Sequence, residues 1–145
     1  MPRPSRLHVA EPAPSYAQRP AAVVDASVLC AIVFVEPELD EALARAGQHR
    51  LLAPHLLPYE VANVAVMKHR RGESLDDLQS ALQRFAALDL VLEAVQPHDT
   101  LDIAARYGLT AYDAAYLWLA ASRRAPLLTF DRRLADAARQ HLGAL

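Results

Sequence analysis

With a single cysteine, Cys30, the chain can form no internal disulfide, and the paired CxxC ligands of structural zinc sites are missing as well. That scarcity points to a reducing compartment, and the cytoplasm is the expected location. No apolar stretch approaches the ~20 residues that span a bilayer. The first twenty residues also lack the apolar core of a secretory signal. Charge of one sign is not in excess: the formal net charge is −2, so any case for nucleic-acid binding rests on how charge is distributed. Lysine is nearly absent, with Lys68 alone among fifteen basic residues. Arginine offers planar bidentate recognition of phosphate where lysine offers a point charge, although a GC-rich genome produces the same bias. The six histidines are scattered and none has the spacing of the zinc-hydrolase motif HExxH.

What is present is apolar mass. Hydrophobic residues make up 53% of 145, which excludes general disorder and suits one domain with a real core. Residues 1–20 hold half of the ten prolines. They are expected to form a flexible tail, with 21–145 as the folded domain. Short apolar runs at 21–24, 50–53, 90–95 and 127–129 read as buried strands. Between them, helical patterns occupy 27–35, 38–46, 58–71, 75–88, 99–107 and 111–124, and a last one runs from 131 to 142. Ser74 with Asp77, and Thr110 with Asp113, have the spacing of capping boxes. Strands alternating with helices imply right-handed crossovers and a three-layer α/β/α fold with a mostly parallel central sheet.

Open parallel sheets bind ligands outside the carboxyl ends of their strands. Asp25 ends the first strand, and Asp131 lies just past the last. Glu60 and Asp113 fall in the first turns of two helices. Four carboxylates can therefore meet at one sheet edge. Without a cation they would repel and raise one another's pKa values. A hard divalent cation such as Mg²⁺ takes oxygen ligands and removes that penalty. Each acid also has a structural reading: Asp131 as a helix N-cap, Asp113 as half of a capping box, Glu60 as a complement to a helix dipole. Asp25 is hardest to explain that way, because it directly follows an apolar strand.

VVDASV, LLPYEVANVAVMKHR, LTAYDAAYLWLA and PLLTFDRRL occur in this order. They resemble the successive motifs of the PIN-domain family and, within it, the VapC-like toxins of type II toxin–antitoxin systems. The likeness spans about residues 22 to 142, and TAYDAAYLWLA followed by LLTFD is its most specific part. The resemblance implies an Mg²⁺-dependent endoribonuclease, with Mn²⁺ as a possible substitute, in which Asp25, Glu60, Asp113 and Asp131 bind or orient metal. It also implies supporting hydroxyls at Ser27 and Thr129 and an antitoxin as partner. Asn63, one helical turn after Glu60, could orient it or a water, or simply be solvated. The Pro-rich extension is a departure from the family's pattern, and it leaves the four acids intact.

Arg132 and Arg133 lie at a helix N-terminus, where cations are disfavoured, and directly follow Asp131, so they are candidates for facing RNA phosphate. The pairs Arg70–Arg71 and Arg123–Arg124 complement helix C-termini. Tyr112, Tyr116 and Trp118 can stack on bases, but an apolar helix favours packing them in the core. Cys30 reads as an inert core residue. The apolar surplus on 27–35 and 75–88 suggests a homodimer, and the helix pair 27–35 and 38–46 a groove for a partner peptide.

Other enzyme classes fit poorly. A haloacid-dehalogenase phosphatase would want Asp at position 27, a receiver domain a lysine after a late strand, and a P-loop nucleotidase the motif GxxxxGK[ST], which is missing. The remaining alternatives are a PIN-domain RNA-processing nuclease outside toxin–antitoxin systems and an inactive RNA- or protein-binding module.

Overall fold

The computed structural model describes Ala10 and residues 19–145. Its elements are β1 (Ala21–Val24), α1 (Ala26–Val33), α2 (Leu39–Ala46), β2 (Arg50–Pro54), α3 (Leu57–Arg70), α4 (Leu75–Ala86), β3 (Leu90–Glu93), α5 (Pro97–Tyr107), α6 (Ala111–Arg123), β4 (Leu127–Leu128) and α7 (Arg132–Leu142). The four strands form one sheet in the order β3-β2-β1-β4, and every pairing is parallel. Helices α1 to α4 pack among themselves, and α6 packs on both α5 and α7. The chain thus has the expected three-layer α/β/α architecture.

Central strand β1 shows why the sheet sits where it does. Ala22, Val23 and Val24 are completely buried, as a strand covered on both faces must be, and the sequence there is apolar without alternation. The core continues through Leu29 of α1, Leu52 of β2, Leu57 and Val61 of α3, Leu117 and Leu119 of α6, and Leu134 of α7. Chain direction across the sheet reverses at β1: β2 and β3 lie on one side of it and β4 on the other. The carboxyl ends of β1 and β4 therefore flank the switch point, the position at which parallel sheets bind ligands.

Element ends differ from expectation in a few informative places. The pattern over 27–35 predicts helix to the end, but α1 stops at Val33 and Val35 takes a left-handed conformation, φ 54°. The Glu36 N–H then bonds back to the Ala31 carbonyl, a Schellman-type ending usually given to glycine. Helix α5 begins at Pro97 and not at 99, since Pro suits a first helical turn that has no backbone donor to lose. Strand β3 ends at Glu93, two residues short of the expected 95.

The expectation for residues 1–20 falls mostly outside the described residues. Of that stretch, the Arg19 guanidinium donates to the Gly47 carbonyl at 2.7 Å, and the Pro20 carbonyl accepts from Arg50 N–H at 2.9 Å. Among the described residues no helix is long and apolar enough to cross a membrane.

Candidate active site

Asp25 stands one residue past β1 and caps α1, with Oδ1 accepting from the Val28 N–H at 3.3 Å and the Ser27 hydroxyl at 2.6 Å. Its other oxygen, Oδ2, accepts from the Thr129 hydroxyl at 2.5 Å. Thr129 Oγ1 in turn accepts from Asp131 N–H, and Ser27 Oγ from Phe130 N–H, each at 2.9 Å. The loop after β4 is thus stitched to the loop after β1 through two hydroxyls. Asp131 caps α7, its Oδ1 accepting from Leu134 N–H at 2.9 Å. For Asp25 and Asp131 the capping role and a place at the site coexist, because a carboxylate at a helix N-terminus faces the open end of the sheet.

Glu60 lies in the first turn of α3. The Tyr116 phenol of α6 donates to its Oε1 at 2.7 Å. Asp113 lies in the first turn of α6, where its N–H donates to Thr110 Oγ1 at 3.1 Å. Its carboxylate lines the same cleft as those of Asp25, Glu60 and Asp131. This cleft has a volume of about 450 Å³. Two further acids not singled out from the sequence, Glu36 and Glu38, also line it. Glu36 sits on the turn between α1 and α2, and Glu38, the first residue of the expected 38–46 helix, stands at the N-cap of α2.

Burial pushes the Asp25 carboxyl above the usual carboxylate range, outweighing the hydrogen bonds from Ser27, Thr129 and the backbone. Burial raises Glu60 as well, and the charges of Asp113 and Asp25 add to it, while the Tyr116 hydrogen bond opposes them. Asp113 is raised by burial and then by Asp131 and Asp25, with Arg133 pulling the other way. The acids therefore sense one another across the cleft. Tyr116 is itself pushed up, first by burial and then by Glu60, so it stays a protonated donor. Burial pushes the Cys30 thiol, which also lines the cleft, up to about 12, so it remains neutral.

The donors gathered here are hard carboxylate oxygens, with no soft thiolate and no histidine among the residues lining the cleft. Among the described residues no three His, Cys, Asp or Glu side chains are grouped closely enough to hold a metal ion as they stand. The cleft is an open acidic bowl.

The remaining sequence candidates separate. Ser27 and Thr129 hold Asp25 as described. Asn63 is exposed, and the side chain lining the cleft one turn after Glu60 is Val64. Arg132 is exposed, whereas the Arg133 guanidinium donates to the Gly108 carbonyl and ties α7 to the turn between α5 and α6. Tyr116 is buried and Trp118 partly buried, as expected of core aromatics, but Tyr112 is exposed. The apolar side of α1 is consumed internally, by Val28, Leu29, Cys30, Ala31 and Val33. Exposed apolar side chains occur instead at Leu43, Val66, Met67 and Leu75 on α2, α3 and α4.

Fold and cleft together define a parallel α/β fold whose acidic centre lies at the switch point of the sheet. The chain belongs to the PIN-domain family, whose model matches residues 22–140. It is similar to Ribonuclease VapC3 of Pyrobaculum aerophilum, with 36% identity over 120 residues that cover 79% of this chain and 92% of that protein. Its fold is also similar to the crystal structure of PAE2754 from the same organism. The TM-score is 0.66 at 24% identity, and the match covers 88% of this chain and 90% of that one.

Proposed function

We propose that the chain is a metal-dependent endoribonuclease that hydrolyses RNA phosphodiester bonds in the acidic cleft, and that it is the toxin of a type II toxin–antitoxin pair. One observation carries the catalytic reading. Asp25, Glu60, Asp113 and Asp131 come from four separate elements to line one cleft, where burial holds the first three above their usual range and neighbouring carboxylates raise Glu60 and Asp113 further. Packing carboxylates this way is unfavourable unless a cation joins them. Membership of the PIN family and likeness to a protein named as a ribonuclease support RNA as the substrate.

The oxygen-only donors fit Mg²⁺, with Mn²⁺ as a substitute. The openness of the bowl fits it too, since Mg²⁺ keeps several waters and binds through one or two carboxylates. Asp25, Glu60, Asp113 and Asp131 would hold it. When bound, such an ion polarises the phosphoryl oxygen and lowers the pKa of a water. The chain's own residues orient the acids: Ser27 and Thr129 fix both oxygens of Asp25, and Tyr116 fixes Glu60. The N-termini of α1, α6 and α7 all open near the cleft, and their orphan N–H groups favour a bound phosphate.

Incubating the protein with RNA under Mg²⁺, Mn²⁺ or chelator tests the reading, with Asp25→Asn alongside. Cleavage by the wild type that chelation abolishes and Asp25→Asn lacks is the expected result. Wild-type protein that binds RNA but never cuts it, with either metal, would favour the inactive-module alternative. The toxin assignment predicts growth arrest on induction, relieved by co-expression of a partner encoded beside it. Homodimerisation through the exposed apolar residues of α2, α3 and α4 belongs to the same proposal. Light scattering showing only monomer at micromolar concentration would count against it.

A further inference from the structure

Among the described residues, the sheet is open beyond β4. This strand stands last in the order β3-β2-β1-β4, with β1 as its one partner in the sheet. In that pairing the Val23 N–H donates to the Pro126 carbonyl at 2.9 Å and the Asp25 N–H to the Leu128 carbonyl at 3.2 Å, with Leu127 opposite Val23. Successive residues of a strand aim their backbone groups to alternate sides. The Leu127 N–H and carbonyl therefore point away from β1, along the free edge. Such an edge is a template for another extended chain unless something blunts or covers it.

Two clefts flank this edge. The first, about 360 Å³, is bounded by Val28 of α1 and by Ala42 and Arg45 of α2. The second, about 470 Å³, is bounded by Ala135, Ala138 and Leu142 of α7. Leu127, Thr129 and Arg139 line both. An added strand sends its side chains alternately to the two faces of a sheet, and here that means into one cleft and then the other. The clefts differ in chemistry. Two arginines, Arg45 and Arg139, line the first against one acid, Glu41. Arg139 gives its Nη1 to Asp136 at 2.9 Å, which leaves the rest of its donor fork to a further partner. The walls of the second are mainly aliphatic.

We propose that the free edge of β4 docks an extended segment of a partner protein in which acidic and apolar side chains alternate. The acids meet Arg45 and Arg139 in the first cleft, the apolar side chains fill the second, and the backbone pairs with Leu127. The site adjoins the acidic cleft, with Phe130 lining both, and is separate from the four carboxylates. Two other occupants fit less well. A second copy docked edge to edge would set the same arginines against each other. RNA phosphate only accepts hydrogen bonds, whereas the open edge presents a carbonyl as well as an N–H.

The test titrates the full chain with a capped peptide, Val-Asp-Val-Asp-Val-Asp-Val, and with its Val-Lys counterpart. Two N-methylated forms of the acidic peptide are added, one methylated on the valine nitrogens and one on the aspartate nitrogens. Calorimetry reads affinity, and hydrogen exchange reads the Leu127 amide. The acidic peptide is expected to bind, to protect that amide, and to exceed the lysine peptide by about tenfold or more. A strand pairs through alternate N–H groups, so one methylated form should lose binding and the other keep it. Arg45→Glu, an exposed position whose folding a melting curve verifies, should weaken the acidic peptide about tenfold and strengthen the lysine one. No binding at millimolar peptide overturns the proposal, as do equal effects of the two methylated forms or indifference to Arg45→Glu. An RNA oligonucleotide that displaces the peptide and weakens in Arg45→Glu would assign the edge to nucleic acid. Leu127 protection that grows with protein concentration alone would assign it to a second copy. Either result also overturns it.

Discussion

At the scale of single residues, the site depends on carboxylates held where charge is costly. Asp25 is buried, capped onto α1 and gripped by two hydroxyls, yet its carboxyl stays above the usual range because desolvation outweighs those bonds. An acid whose folded pKa exceeds its unfolded value binds more protons when folded, so stability falls as pH rises from about 4 through the folded pKa. Asparagine cannot ionise and caps a helix about as well as aspartate. Without metal, Asp25→Asn should therefore match the wild type or fall below it near pH 4 and gain on it as pH rises toward neutrality. Urea titrations of both proteins in chelator across that range would show it. A difference that stays flat with pH, or moves the other way, would mean that Asp25 carries no such penalty.

At the scale of elements, most of the fold was legible because β1, α3, α4 and α6 announce themselves by apolar runs, capping residues and terminal glycine or arginine. The four acids were legible for a related reason: strand ends and first helical turns are positions that sequence patterns mark. What escaped lies on irregular backbone or depends on tertiary contact. Glu36 and Glu38 reach the cleft from the turn after α1, whose path is set by the positive φ of Val35. Nothing in an apolar β-branched residue advertises that conformation. Tyr116 read as core, and it is, but only its partner across 56 residues reveals that its phenol holds Glu60. Arg133, a candidate for phosphate, also donates from one guanidinium nitrogen to Gly108, a contact no local spacing encodes.

Val35 also permits a prediction at this scale. A left-handed conformation costs an L-residue roughly 1–2 kcal/mol, most for β-branched side chains, and at 64% exposure Val35 recovers little by packing. Glycine removes the strain and loses about 0.4–1 kcal/mol through the freer unfolded chain. Val35→Gly should therefore be more stable by about 0.5–1 kcal/mol, measurable as a higher urea midpoint at unchanged m-value. Destabilisation would show that the valine side chain makes a contact worth more than its strain.

At the scale of the whole molecule, the open bowl and the fold share one free-energy balance. Repulsion among the acids is present only in the folded chain, so a cation that relieves it binds the native state preferentially. Stabilisation then follows RT ln(1 + [L]/Kd), about 2.7 kcal/mol at a hundredfold excess over Kd. Melting temperature should rise with Mg²⁺ in the wild type and rise less in Asp25→Asn. Equal rises in both would place the stabilising cation elsewhere.

The stitch between Thr129 and Asp25 joins residues 104 positions apart in the chain. During synthesis, Asp25 emerges 104 residues before Thr129, with Asp131 later still. Strand β4, only two residues long, has β1 as its one partner in the sheet and packs against α6 and α7. The acidic bowl is therefore incomplete until β4 and the start of α7 have been made. A chain stopped after Arg124 would retain Asp25, Glu60 and Asp113, and under the proposed function it is expected to cut no RNA. Under the proposed ribonuclease reading, topology alone withholds activity until the segment carrying Thr129 and Asp131 has been made.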